Sequence, residues 1–199
     1  MDKGLLISVS GPSGSGKGSV LAKVKEMNPG FGTSISVTTR TPREGEVDGK
    51  DYYFKSKDEF MKMLEEGEII EYDEFVGNLY GTPTIPLQEM SEAGTDVLLD
   101  LTLAGSMALK ENFEQSVTIF LLPPSFEELE NRLKGRGTES DENIHARLEK
   151  AKEEILNAKL FDYVVINDEI DVAAEKIDSI IKAEKCRYVR NTDIEKTLK

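Results

Sequence analysis

The sequence predicts an α/β fold: a parallel sheet flanked by helices, interrupted by a small mixed α+β insert and a lid. Three observations lead there. Short apolar runs alternate with residues at helical spacing, the pattern of a sheet covered on both faces. A glycine-rich loop closes the first run and opens the first helix. Residues from about 34 to 95 lack such runs and carry shorter, polar-interrupted segments.

The core elements follow in chain order. "LLISVSG" (Leu5 to Gly11) is an apolar run ending in Gly and reads as a buried strand. After the loop, Val20, Leu21, Val24 and Met27 recur at helical spacing. Asp96 to Leu101, Val117 to Leu122 and Tyr163 to Ile166 are further strands. Phe126, Leu129 and Leu133 share one helix face, as do Leu148, Ala151 and Ile155, and then Ile177, Ile180 and Ile181.

Within the insert, "SISVTT", "DYYF", "EIIEYDEF" and "NLYGT" read as small antiparallel strands. One helix sits among them. Ser56 with Glu59 forms a capping box, Phe60, Met63 and Leu64 form the apolar stripe, and Gly67 ends it. "KGRGTESDEN" separates two helical patterns and is rich in Gly and charge, which suits a lid. The expected organisation is one domain over 4–185. Its core is 4–33 and 96–185, the insert is about 34–95, the lid is about 135–146, and 186–199 is a tail.

Composition narrows the function classes. Lys+Arg 25 against Asp+Glu 38 gives a net charge of −13, a poor basis for binding nucleic acid or an anionic membrane. One Cys (Cys186) and one His (His145) exclude an internal disulfide and Cys/His zinc clusters, and argue against His-centred triads. The run "LLISV" is too short for a signal segment or a membrane span, so a reducing cytoplasm is the expected location.

The loop "GPSGSGKGS" (Gly11, Pro12, Ser13, Gly14, Ser15, Gly16, Lys17, Gly18, Ser19) is where chemistry enters. Its glycines let backbone N–H groups turn inward around phosphate oxygens, and the helix N-terminus adds partial positive charge. Lys17 is spaced to reach the β- and γ-phosphates. The usual pattern places Ser or Thr directly after the Lys to ligate Mg²⁺, and here Gly18 stands there. Ser19 comes one residue late, and a helix step of roughly 100° turns it elsewhere. Mg²⁺ is therefore expected mainly on nucleotide phosphates and water, with Asp100 or Ser19 as the protein groups within its range.

A second anion site is legible in "SVTTRTPREGEVDGKDYYF". Arg40 and Arg43 stand three apart, followed by Tyr52 and Tyr53, and two guanidiniums with a phenol are suited to a phosphate group. "EIIEYDEFVGNLYGT" then offers Glu71, Tyr80 and Thr82.

Taken in order, "GPSGSGKG", "SVTTRTPREGEVDGKDYYF", "IIEYDEFVGNLYGT" and "RLKGRGTES" closely resemble guanylate kinase, from about Gly4 to Lys185. The resemblance implies a phosphate-loop kinase core with a GMP-binding insert and a lid, ATP and GMP as substrates, and Mg²⁺ with the ATP. It implies that Arg40, Arg43, Tyr52 and Tyr80 hold the GMP phosphate, and that Ser36, Glu71 and Thr82 line the guanine with Asp100 nearby. It places Arg132, Arg136 and Arg147 near the ATP phosphates, with Lys17, Arg43, Arg136 and Arg147 as the catalytic cations.

The base site has its own physical logic. Guanine presents two adjacent donors, N1–H and the 2-amino group, and one carboxylate accepts both. Adenine offers an acceptor at N1 and is repelled. The family commonly has a second acid two residues after the position of Asp100, then a Gln; this chain has Thr102 and Ala104. Two other readings share the fold: a non-catalytic protein-binding module, and a kinase for another acceptor. Lys17, Arg40, Arg43 and Arg136 argue against the first, and Glu71 with Ser36 and Thr82 against the second.

Overall fold

The structure, a computed structural model, describes residues 3–135 and 141–192. The core sheet is built from β1 (Leu6–Ser10), β6 (Val97–Asp100), β7 (Val117–Leu122) and β8 (Tyr163–Ile166), in the order β6-β1-β7-β8. Every pairing in it is parallel. All residues of β1 are buried, Ser8 and Ser10 with the three apolar ones, as suits a central parallel strand covered on both faces.

Alternate residues of β1 feed two separate cores. Ile7 and Val9 pack with Val20, Leu21 and Val24 of α1 (Lys17–Met27) and with Ala173, Ala174, Ile177 and Ile181 of α7 (Ile170–Lys185). Leu6 joins Val97, Leu99 and Leu101, covered by Leu87 of α3 (Thr84–Glu92) and Leu109 of α4 (Leu103–Asn112). Strand β6 lies on one side of β1 and β7 on the other. The connections thus leave β1 toward opposite edges of the sheet, and a ligand crevice opens there at the carboxyl ends of the strands.

The insert forms a second sheet from β2 (Val37–Thr38), β3 (Tyr53–Phe54), β4 (Ile69–Phe75) and β5 (Asn78–Pro83), in the order β3-β2-β5-β4. It closes over Val37, Phe60, Ile69 and Leu79. Phe60 comes from α2 (Lys57–Glu65), whose capping box between Ser56 and Glu59 is present in full. The antiparallel reading needs one correction. β2 and β3 pair parallel, and only β2–β5 and β4–β5 are antiparallel. Segment 39–52 is long enough to return the chain to the same end of the sheet, a route closed to a two-residue hairpin.

Helix α3 is an element the sequence reading missed. It starts after Pro83 and keeps Pro86 in its first turn, where a missing N–H costs little. Although it lies within the stretch read as insert, it buries Leu87 against the core strands. The helices α5 (Phe126–Lys134) and α6 (Asp141–Leu156) join through Leu129, Leu133, Ile144 and Ala151. Of the proposed lid, residues 136–140 lie outside the described residues. Part of the tail packs back, with Arg190 donating to the Gln115 carbonyl.

Candidate functional site

The loop from Gly11 to Ser19 leaves β1 at the crevice and wraps a concavity of about 280 Å³. Its glycines are needed at two places. Gly14 and Gly16 have φ of 92° and 84°, a region that L side chains rarely adopt. A Cβ on Gly16 would also fall 2.3 Å from Nδ2 of Asn167. That amide donates to the Ser15 carbonyl at 2.7 Å and is almost fully buried. Asn167 follows the last core strand and was not singled out from the sequence; its mark there is only a polar residue closing the run "YVVIN".

Arg132 braces the same loop. Its Nη1 donates to the Ser15 carbonyl at 3.4 Å, Nη2 to the Asn167 carbonyl at 3.1 Å, and Nε to Glu128 at 2.8 Å. From α6, Arg147 donates to Ser13 Oγ at 3.2 Å. Arg136 lies outside the described residues. Lys17 opens α1, with its Nζ 2.7 Å from an Asp100 oxygen and 3.4 Å from the Leu101 carbonyl. The first and second core strands of the chain thus place a cation and a carboxylate together across the crevice. Glu154 on α6 is a further acid near this end. Burial pushes its carboxyl up, against the opposing pull of Lys150 and Lys17. Ser19 is exposed on α1, and the space that a side chain at Gly18 would enter is open.

The insert assembles the second cation site. Arg40 binds Glu46 bidentately, at 3.0 and 2.8 Å, and lies 5.4 Å from the Tyr52 ring centroid. The Tyr52 and Tyr80 rings meet edge-on at 6.0 Å. The bond to Glu46 raises the Arg40 guanidinium, to which Tyr80 adds, while Arg40 and the Arg43 N–H hold the Glu46 carboxyl below its usual range. Arg43 is exposed on the turn, donating its backbone N–H to Glu46 at 2.7 Å. Glu46 was not picked out from the sequence, although it stands three residues after Arg43 and six after Arg40.

The residues expected at the base converge on β4 and β5. Glu71 pairs with Thr82 in the ladder, and Thr82 Oγ1 donates to Glu71 Oε1 at 3.4 Å. The pairing shifts register just before Glu71, a bulge of the kind that re-aims a side chain. Val37 pairs with Gly81, so one residue further back Ser36 comes level with Thr82. Glu71 also crosses to the core, where Thr102 Oγ1 donates to its Oε2 at 2.7 Å.

An α/β sheet whose first strand delivers such a loop, with a cation-bearing insert packed beside it, is the architecture of a phosphate-loop kinase. The comparisons agree on the branch. A model of the guanylate kinase family matches residues 3–184. The guanylate kinase of Lactococcus lactis subsp. lactis is 50% identical, covering 95% of this chain and 92% of the relative. That of Caldanaerobacter subterraneus subsp. tengcongensis is also 50% identical, covering 96% and 93%. The crystal structure of guanylate kinase from Anaplasma phagocytophilum superimposes with a TM-score of 0.71 at 36% identity, covering 96% of this chain and 90% of that one. The chain belongs to the guanylate kinase family.

Proposed function

We infer that the two anion sites and the carboxylate beside them divide the work of one reaction. The chain transfers the γ-phosphoryl group of ATP to GMP, and to dGMP, giving ADP and GDP. The reading is supported above all by the Lys-bearing loop at the crevice of a chain 50% identical to named guanylate kinases.

In this reading residues Gly11 to Ser19 seat the ATP phosphates, with Arg132 and Asn167 keeping the loop in shape. Arg40, Arg43, Tyr52 and Tyr80 receive the GMP phosphate, and Ser36, Glu71 and Thr82 its base. The GMP phosphate oxygen is already anionic and serves as the nucleophile, so no general base is required. The protein supplies alignment and charge. Lys17, Arg147, Arg136 and Arg43 neutralise the transferring group. Arg40 exchanges its Glu46 carboxylate for a phosphate of the same bidentate geometry.

Family chemistry uses ATP with a divalent metal, and Mg²⁺ is the ion assigned to this site. Among the described residues no three His, Cys, Asp or Glu groups converge as a cage. That donor set fits an ion held mostly by phosphates and water, with one protein carboxylate. Asp100 is that carboxylate: it is 54% exposed, faces the loop, and is paired only with Lys17 in the contacts described. Bound there, the metal would add positive charge at the phosphates. Asp100→Asn is expected to lower turnover by about 10–100-fold. Near-parental turnover at saturating Mg²⁺ would remove Asp100 from this role.

Among the described residues no helix is long and apolar enough to cross a membrane. With a net charge of −13, small anions gathered at local Arg and Lys clusters suit the chain better than nucleic acid. ADP release measured with GMP, dGMP, AMP, UMP and TMP tests the whole reading. ADP should form with the guanine nucleotides and hardly at all with the others. Nucleotide binding without turnover would instead make the chain a binding module.

A further inference from the structure

Thr102 stands where the family resemblance implies a second acid, and the structure gives its hydroxyl a specific partner. It is the N-cap of α4, and its Oγ1 accepts the Gly105 N–H at 3.0 Å. A hydroxyl has one proton to give. Here it goes to Glu71 Oε2 at 2.7 Å, the length of a hydrogen bond to a charged acceptor. The Thr102 backbone N–H lies 3.3 Å from the same oxygen. Glu71 therefore rests against the N-terminus of a core helix although its own strand belongs to the insert.

Gly105 makes the approach possible. A Cβ at that position would fall 2.2 Å from Glu71 Oε2 and 2.5 Å from Cδ, too close for the carboxylate to stay. On the other side, Thr82 donates to Oε1 at 3.4 Å. The carboxylate is thus located by groups from β5 and α4. Each oxygen has two acceptor sites. Thr82 takes one site of Oε1, and Thr102 engages Oε2 with both its hydroxyl and its N–H. An acid at position 102 would meet Glu71 with like charge; a hydroxyl meets it with attraction.

We propose that Thr102, with Gly105, is a positioning residue for base selection. It fixes the orientation of the Glu71 carboxylate, and it acts through that carboxylate. The inference rests on the reading of Glu71 as the guanine acceptor. Its signature is a split between substrates. Because this reading seats ATP on the Gly11–Ser19 loop and not on Glu71, loosening Glu71 should weaken GMP alone.

The test is steady-state kinetics on the full-length Thr102→Val, Thr102→Ser and Gly105→Ala proteins, with GMP, with inosine monophosphate, which lacks the 2-amino group, and with ATP varied. Thr102→Val should raise the KM for GMP about ten-fold, the effect of one lost bond to a charged group. The KM for ATP should stay within about two-fold. The preference for GMP over inosine monophosphate should shrink by a similar factor, since a loose carboxylate reads the 2-amino group less well. Thr102→Ser keeps both hydrogen bonds and should restore parental values. Gly105→Ala retains the cap and displaces the carboxylate, so it should reproduce the split and carries the test if Thr102→Val does not fold. Equal rises in both KM values would assign Thr102 to capping alone and overturn the proposal. So would an unchanged KM for GMP in a series where Glu71→Gln is impaired. If Glu71→Gln were itself unimpaired, the assignment of the base site would fail instead.

Discussion

Lys17→Ala is expected to reduce turnover several hundred-fold while the protein stays folded. Lys17 Nζ sits 2.7 Å from Asp100 and within reach of the Leu101 carbonyl, at the first residue of α1 where the loop N–H groups converge. A fixed cation there costs no reorganisation when charge moves onto the transferring phosphoryl. Loss of one preorganised donor typically costs about 2.7–4 kcal/mol of the barrier. That corresponds to about 10²–10³ in rate. The fold should survive because the side chain contributes nothing to the cores around Ile7 and Leu6. Its partner Asp100 is 54% exposed and can return to water, so loss of the pair itself is a small stability effect. Turnover at saturating ATP and GMP, with a thermal melt alongside, checks both halves. An unchanged rate would refute the assignment of the loop.

The fold was legible where local pattern and tertiary role coincide. The central strand is rich in apolar residues because it is buried on both faces, and the loop glycines are spaced by the turns they make. The capping box at Ser56 works through residues three apart, so sequence alone reveals it. What stayed hidden depends on distant partners. The parallel pairing of β2 with β3 is decided by where the chain returns after residue 52, and nothing in two short strands records that. Helix α3 carries a proline and little periodicity, and its reason to exist is Leu87 in a core whose other members lie elsewhere in the chain. The candidate site divides in the same way. Lys17, Arg40 and Glu71 sit in recognisable motifs. Asn167 and Glu46 matter through contacts with Ser15 and Arg40. Thr102 reads as a missing acid until Glu71 is seen against it.

Glu71→Gln should change which base the enzyme accepts more than how fast it transfers phosphate. The carboxylate offers acceptors only, and guanine presents N1–H and the 2-amino group side by side. A glutamine keeps the shape but replaces one oxygen with a donor, so one guanine N–H meets an N–H. Leaving buried polar groups mismatched costs about 1–3 kcal/mol each, and kcat/KM for GMP should fall about 100-fold. The loss should lie mainly in KM, because the base is bound away from the reacting oxygen. Adenine presents an acceptor at N1, which the parental carboxylate repels and the new amide can meet. AMP should therefore gain while GMP loses. A hydrogen-bonding site can discriminate by roughly 10⁴-fold or more, and the GMP-over-AMP ratio of kcat/KM should contract by more than GMP alone loses. The amide would also turn toward Thr102 and Thr82, whose hydroxyls now donate to the carboxylate, so one of those bonds must reverse or break. Paired kcat/KM measurements on both nucleotides decide the matter. If GMP were impaired with no change in the ratio, Glu71 would serve to hold the insert against α4, and the base would be read by other groups.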